Sequence, residues 1–109
     1  MARPKPTIAR GNERRLLQAT VSVKPYGASR SSKARMFDLS VKGCCIVSGE
    51  ILRTGTQILI RIPGLEFWPA TVAWNREGAI GAEFHKPLHP AVVQHYAKFY
   101  PAPQGPAEV

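Results

Sequence analysis

The clearest strand signal in this chain is the stretch Gln57-Ile58-Leu59-Ile60-Arg61-Ile62. It is rich in β-branched residues, which favour extended backbone, and the Pro63-Gly64 pair after it is a strong turn signal. The stretch is therefore predicted to form one β-strand that ends before Pro63.

Five other runs with strand character lie on both sides of this one, with turn residues between them. They are Leu16 to Lys24, Lys33 to Leu39, Cys44 to Val47, Phe67 to Trp74 and Ala79 to Phe84. Six short strands at intervals of about 8–12 residues are typical of a small barrel or sandwich. Because closing the sheet leaves no exposed strand edge, we predict an all-β, six-stranded antiparallel β-barrel.

The last element has a different pattern. His89-Pro90 is typical of a helix start with proline at the first position, and Pro101 would end the helix. Between them, apolar residues recur near the helical period: Val92, Val93, Tyr96, Phe99 and Tyr100. We predict a short C-terminal α-helix that covers one mouth of the barrel.

The chain has 109 residues, which is the length of one domain. Residues 1–12 combine prolines, a glycine and basic residues without a hydrophobic period, so we expect a flexible basic N-terminal arm. Residues 13–100 would form the barrel and its helix, and residues 101–109 a polar tail.

Positive charge is concentrated near the N-terminus. The formal net charge is +8, and residues 1–35 hold nine bases against the single acid Glu13, whereas the rest of the chain is balanced. This asymmetry is consistent with an anionic partner such as nucleic acid, a nucleotide or a membrane surface. A solvated basic surface that only aids solubility would give the same count.

No stretch of the sequence approaches the roughly 20 apolar residues that span a bilayer, and the N-terminus lacks the apolar region of a secretion signal. We expect a cytoplasmic protein without a transmembrane segment.

Cys44 and Cys45 are adjacent, so a strand would point them to opposite faces and a bridge between them is not expected. Cys44 is predicted to be a core residue and Cys45 a partly exposed thiol.

Catalytic patterns are missing from the sequence. His85 and His89 have the spacing of a helical metal pair, but Pro87 and Pro90 break the helix and no carboxylate completes a metal site. Ser40 lies outside any nucleophile turn, and no paired carboxylates occur. We therefore predict neither an enzyme nor a metal site or cofactor.

A binding site is a better interpretation of two polar clusters. Arg10 and Arg14 are spaced R-x-x-x-R, and Asp38-Leu-Ser-Val-Lys-Gly43 combines a carboxylate, the hydroxyl of Ser40 and a glycine within a few residues. Arginine pairs bidentately with phosphate or with the guanine O6/N7 edge, and a carboxylate can accept from the opposite edge of guanine. The alternative is an Asp/Ser turn that only connects two strands.

These clusters and the strands around them resemble the PilZ domain family. Val72-Ala-Trp74, a turn and Ile80-Gly81-Ala-Glu-Phe84 are similar to the last two barrel strands of that family, and the C-terminal helix fits as well. The resemblance covers about residues 9–100. It implies a six-stranded barrel whose R-x-x-x-R loop and D/N-x-S-x-x-G motif bind cyclic di-GMP, a bacterial second messenger.

The resemblance assigns ligand contacts by motif position. Arg10 and Arg14 would contact guanine and phosphate, while Asp38, Ser40 and Gly43 would form the opposite wall, with Arg15 as a possible auxiliary contact. A second register also exists, because Glu13-Arg14-Arg15 is similar to the family's E-R-R opening. In that register Arg15 would be the first motif arginine and Ala19 would stand where its partner belongs. Trp74 is expected to be a barrel or rim aromatic residue.

Three functions follow from these patterns. The preferred one is a cyclic di-GMP receptor whose N-terminal arm orders over the barrel and alters the surface for a downstream protein partner. The alternative is a PilZ-like interaction module that binds no cyclic di-GMP and docks to a pilus or motility protein. Single-stranded nucleic acid binding is least expected, because residues 1–35 contain only one aromatic residue, Tyr26.

Overall fold

The computed structural model describes residues 14–102. Arg10 and the predicted arm of residues 1–12 lie outside the described residues, as does the tail from residue 103 onward. The described chain contains six strands and one helix: β1 (Arg15–Pro25), β2 (Ser32–Leu39), β3 (Gly43–Ser48), β4 (Gln57–Arg61), β5 (Trp68–Arg76), β6 (Ala79–Phe84) and α1 (Pro90–Phe99). Each predicted element is confirmed, with ends that move by one or two residues.

The six strands form a closed antiparallel barrel in the order β1-β2-β3-β6-β5-β4, and β1 pairs with β4 to close it. Alternating residues of each strand point inward, as the strand periodicity requires. The largest fully buried side chains are Leu17, Val21, Met36, Leu39, Cys44, Ile46, Ile58, Ile60, Ile62, Val72 and Ile80. The predicted all-β barrel with a C-terminal helix is confirmed.

Three of the strand pairings have a register shift, and besides the one between Leu16 and Ala19 on β1, two of them affect the outer face. Between β2 and β3, Met36 is opposite Ile46 but Asp38 is opposite Cys45, so Phe37 has no partner of its own. Between β5 and β6, Val72 is opposite Ala82 but Trp74 is opposite Gly81, which leaves Ala73 as the extra residue. Such bulges change which face the following side chains point to.

Helix α1 completes the core. The His89 ring accepts a hydrogen bond from the Ala91 N–H through Nδ1 at 3.0 Å, and proline occupies the first turn, so the helix begins as predicted. Val93 and Tyr96 are buried. The Gln18 N–H donates to the Tyr100 carbonyl at 2.9 Å, which ties the end of the helix to β1. Among residues 14–102, no helix has the length and apolar content needed to cross a bilayer.

Gly43 offers a test of the pairing between β3 and β6. A Cβ on Gly43 would lie 2.2 Å from the Ala82 carbonyl oxygen, so Gly43→Ala would push the two strands apart. We expect a loss of about 1–3 kcal/mol in unfolding free energy, measured by urea denaturation. The control is Gly49→Ala, because a Cβ on Gly49 would have no atom within 4 Å. Equal stability of the two variants would contradict this packing.

Candidate functional site

A row of paired residues crosses five strands on the outer face of the barrel. Leu16 of β1 is opposite Asp38 of β2, Asp38 is opposite Cys45 of β3, Cys45 is opposite Gly81 of β6, and Gly81 is opposite Trp74 of β5. Cross-strand partners project from the same face of a sheet. The two bulges therefore bring Asp38 and Trp74, which are far apart in sequence, onto one outward-facing row.

Arg14 directly precedes β1, and its side chain extends to Asp38 in this row. Its Nη1 lies 2.5 Å from Asp38 Oδ1, which makes a salt bridge between the two predicted motifs. The Arg14 side chain is 51% exposed and the Asp38 side chain 12%. An ion pair with one half-exposed partner contributes only about 0.2–1 kcal/mol to stability. The contact therefore positions Arg14 more than it stabilises the fold.

Cys45 lies under Arg14, and the prediction of a partly exposed thiol is wrong. The residue is only 5% exposed, and Arg14 Nη1 is 3.8 Å from its Sγ. Burial and the nearby Asp38 carboxylate raise the pKa of Cys45 to about 11. Burial also raises the pKa of Cys44, which faces the core. Both thiols are free and stay protonated at neutral pH.

Ser40 is used by the turn between β2 and β3. Its Oγ accepts from the Gly43 N–H at 3.2 Å and from the Lys42 N–H at 3.3 Å, and its own N–H donates to the Gly43 carbonyl at 2.8 Å. The turn is fixed to the next segment as well, because the Phe84 N–H donates to the Lys42 carbonyl at 2.8 Å. In this structure Ser40 therefore stabilises the turn between β2 and β3, as the Asp/Ser turn interpretation predicts.

Gly43 is likewise explained by the fold. Its φ angle is not in the left-handed region, so the backbone does not require glycine for that reason. Glycine is needed because β6 passes close to it. Of the three residues predicted in this motif, Asp38 presents its side chain to the outer face, while Ser40 and Gly43 shape the backbone beside it.

A groove with a volume of about 340 Å³ lies at the end of this row. Its lining residues are Arg14, Ser40, Lys42, Gly43, Ala73, Trp74, Gly81, Ala82 and Glu83. Trp74 lies directly over Gly81, where a Cβ would come within 2.2 Å of the indole ring. The Arg76 guanidinium carbon is 5.0 Å from the Trp74 ring centroid, within the range of a cation–π contact. The groove thus has a cation at one end and an aromatic ring at the other.

Sequence reasoning found Arg14, Ser40 and Gly43 in this groove but did not assign Trp74 or Gly81 to it. Val72-Ala-Trp74 and Ile80-Gly81 predicted two strands but not a place in a groove. The available clue was the small residue Gly81 opposite a tryptophan, because an aromatic ring often covers a glycine on a paired strand.

The two arginine registers differ in the face they use. Arg15 pairs with Leu39, whose side chain is in the core, so Arg15 starts from the opposite face to Arg14. Ala19, the partner position in the second register, is 4% exposed and belongs to the core. An arginine there would have no room. Because Arg10 lies outside the described residues, the choice of register and the role of each arginine toward a ligand stay predictions.

The histidines have structural contacts. His85 Nε2 is 2.7 Å from Thr71 Oγ1, and His89 caps α1. Within residues 14–102, no group of three or more histidine, cysteine, aspartate or glutamate side chains is close enough to hold a metal ion.

Comparison with known proteins identifies the family of this domain. The PilZ domain family matches residues 9–100, which is most of the chain, and the chain belongs to this family. PilZ domains are binding modules. A solved structure described as the PilZ domain of CeSA from a cellulose-synthesizing bacterium has the same fold. It is 19% identical, with a TM-score of 0.57, over 79% of this chain and 91% of that one. No curated protein gives a significant match.

Thiol chemistry can test whether Arg14 covers Cys45. Arg14→Ala would open a path to the Cys45 thiol but would also remove a charge that lowers the pKa of that thiol. We expect the gain in access to outweigh the smaller thiolate fraction and to give faster alkylation by iodoacetamide at pH 9, followed by mass spectrometry. Arg15→Ala is the matched control, because Arg15 starts from the other face of β1 and should leave the rate unchanged. Adding Cys45→Ser to Arg14→Ala should abolish the faster phase. Equal rates for Arg14→Ala and Arg15→Ala would show that Arg14 does not cover Cys45.

Proposed function

We propose that this chain is a receptor for cyclic di-GMP that binds at the groove between Arg14 and Trp74. One observation supports the proposal above the others: Arg14 and Asp38, one from each predicted motif, are in contact on the outer face of the barrel. Membership of the PilZ family, which is generally a family of cyclic di-GMP receptors, supports the choice of ligand.

The chemistry of the groove suits a nucleotide with guanine and phosphate. Arg14 uses Nη1 toward Asp38, and the rest of its guanidinium fork remains for phosphate or for the guanine O6/N7 edge. Asp38 uses Oδ1, so its other oxygen can accept from the guanine N1–H and amine. Lys42 adds positive charge to the groove, and the Trp74 ring, with the Arg76 guanidinium 5.0 Å from its centroid, forms another part of its lining.

Ser40 and Gly43 act mainly through the backbone in this proposal. The hydroxyl of Ser40 holds the turn, and Gly43 lets β6 approach, so together they fix the distance between Asp38 and the groove. Removing either residue would then weaken binding indirectly, by moving the turn. Arg10 would supply the first motif arginine, with the arm ordering over the groove when ligand binds and so changing the surface seen by a partner.

Calorimetric titration tests this assignment. We expect a dissociation constant in the micromolar range or tighter, and a loss of about tenfold or more for each of Arg14→Ala and Asp38→Ala, since each removes a charge-assisted contact. Arg10→Ala should have a comparable effect. Lys98→Ala on α1 is the control and should bind as the parent protein does. Unchanged affinity in both Arg14→Ala and Asp38→Ala would overturn the proposal.

Tryptophan fluorescence gives a second test with its own control. Trp74 lines the groove, whereas the Trp68 Nε1–H donates to the Lys86 carbonyl at 2.7 Å and lies outside it. We expect cyclic di-GMP to change the emission of the parent protein and of Trp68→Phe. In Trp74→Phe the change should be lost. The reverse result would place the ligand elsewhere on the barrel.

A ligand-free interaction module is the second candidate, and the same contacts give it support. Asp38 is already neutralised by Arg14, and the Ser40 hydroxyl is already used by the turn. Because these polar groups already have hydrogen-bond or ion-pair partners within the protein, they do not require a bound nucleotide. A flat calorimetric titration of the folded protein would decide for this function, and the groove would then be part of a protein-binding surface.

A further inference from the structure

A second charged surface lies on three strands that contribute no residue to the groove, and it is not used by the proposed ligand site. Four cationic residues lie on three adjacent strands of the outer face: Lys24 on β1, Lys33 and Arg35 on β2, and Arg61 on β4. In register, Lys33 and Arg61 flank Ser22 on its two sides, and Arg35 is opposite Thr20. We call these four residues the basic face.

The charge of the basic face is not balanced within the described chain. β1, β2 and β4 contain one acidic residue, Asp38, and its salt bridge is with Arg14. For residues 14–102, no salt bridge involves any of the four cations. Lys33, Arg35 and Arg61 are exposed. Four neighbouring cations without counter-charges favour an anionic partner.

Two features describe what kind of anion fits. Lys24 Nζ and the Arg61 guanidinium carbon lie 5.1 and 5.3 Å from the Phe67 ring centroid, so the aromatic ring is already occupied by cations. A base-stacking protein would instead offer a free ring. Beside Lys33 and Arg35, a depression of about 310 Å³ includes Val47, which is 49% exposed. This combination suits carboxylates together with an aliphatic side chain.

We propose that the basic face binds an extended acidic segment of a protein partner. The arginine forks pair with carboxylates bidentately, and an aliphatic side chain of the segment covers Val47. Acidic residues at alternate positions of such a segment are about 7 Å apart, a spacing similar to that of outward-facing side chains along a strand. The inference deepens the proposed function, because it gives the surface for the downstream partner. Arg35 is three residues from Asp38 on the same strand, so one edge of the basic face lies near the contact between Arg14 and Asp38.

Charge reversal on the basic face tests the proposal. The probe is a short fluorescein-labelled peptide with glutamate at every second position and valine and serine between, measured by fluorescence anisotropy at low salt. We expect the double variant K33E/R61E to bind about tenfold or more weakly than the parent protein. The control K86E/K98E changes the net charge equally but lies outside β1, β2 and β4, and should weaken binding by no more than about threefold.

Two results would overturn the proposal. Equal weakening in K33E/R61E and K86E/K98E would mean that the peptide responds to net charge alone. Tighter binding of a poly-uridine RNA than of the acidic peptide, with the same sensitivity to K33E/R61E, would make the surface a nucleic-acid interface. If K33E/R61E unfolds, judged by its thermal transition, K33Q/R61Q replaces it with an expected loss of about threefold.

Cyclic di-GMP titration separates this inference from the proposed function. Lys33 and Arg61 do not line the groove, so K33E/R61E should bind the nucleotide as the parent protein does. Failure of the parent protein to bind nucleotide would overturn the proposed function and leave the peptide result standing. Failure of the peptide assay with normal nucleotide binding would overturn only the inference.

Discussion

The bulge at Phe37 in β2 determines which side chains at the end of that strand point into the core and which point outward. Ala34 and Met36 point into the core, and strict alternation would send Asp38 inward after them. The bulge places Leu39 in the core instead and turns Asp38 outward, toward Arg14. An unpaired carboxylate in the core would cost several kcal/mol or would have to be protonated, so the fold and the site depend on this irregularity together. On β5, the extra residue Ala73 does the same for Trp74.

The motif that contains Asp38 divides two tasks among three residues. The carboxylate of Asp38 pairs with Arg14 on the outer face, whereas the hydroxyl of Ser40 and the missing side chain of Gly43 hold the turn and allow β6 to approach. The turn and the proposed ligand motif therefore share the same six residues. Conformational requirements of the backbone account for the serine and the glycine, and ligand chemistry is needed only to explain the aspartate and the arginine.

The fold was predictable because its signals are local. Runs such as residues 57–62 carry strand propensity in their own composition, and Pro63 or Gly78 ends a strand through its own backbone preferences. Asp38 and Arg14 could be singled out from their chemistry, and the structure brings these two side chains into contact. The burial of Cys45 was not, because it depends on a side chain that lies 31 residues away in sequence. The place of Trp74 depends on a bulge, and a bulge is a property of how two strands pair rather than of either strand alone.

Both ends of the described chain lie next to strand β1. Arg14 precedes it directly, and Pro101, beyond the helix, forms a bridge with Leu17. Residues 14 and 101 thus lie within about 10 Å of each other along one strand. The segments that continue the chain before Arg14 and after residue 102 therefore start beside the same strand, close to Arg14. A reporter inserted into the barrel is better placed in the exposed turn between β1 and β2, because that turn lies at the opposite end of β1 from Arg14.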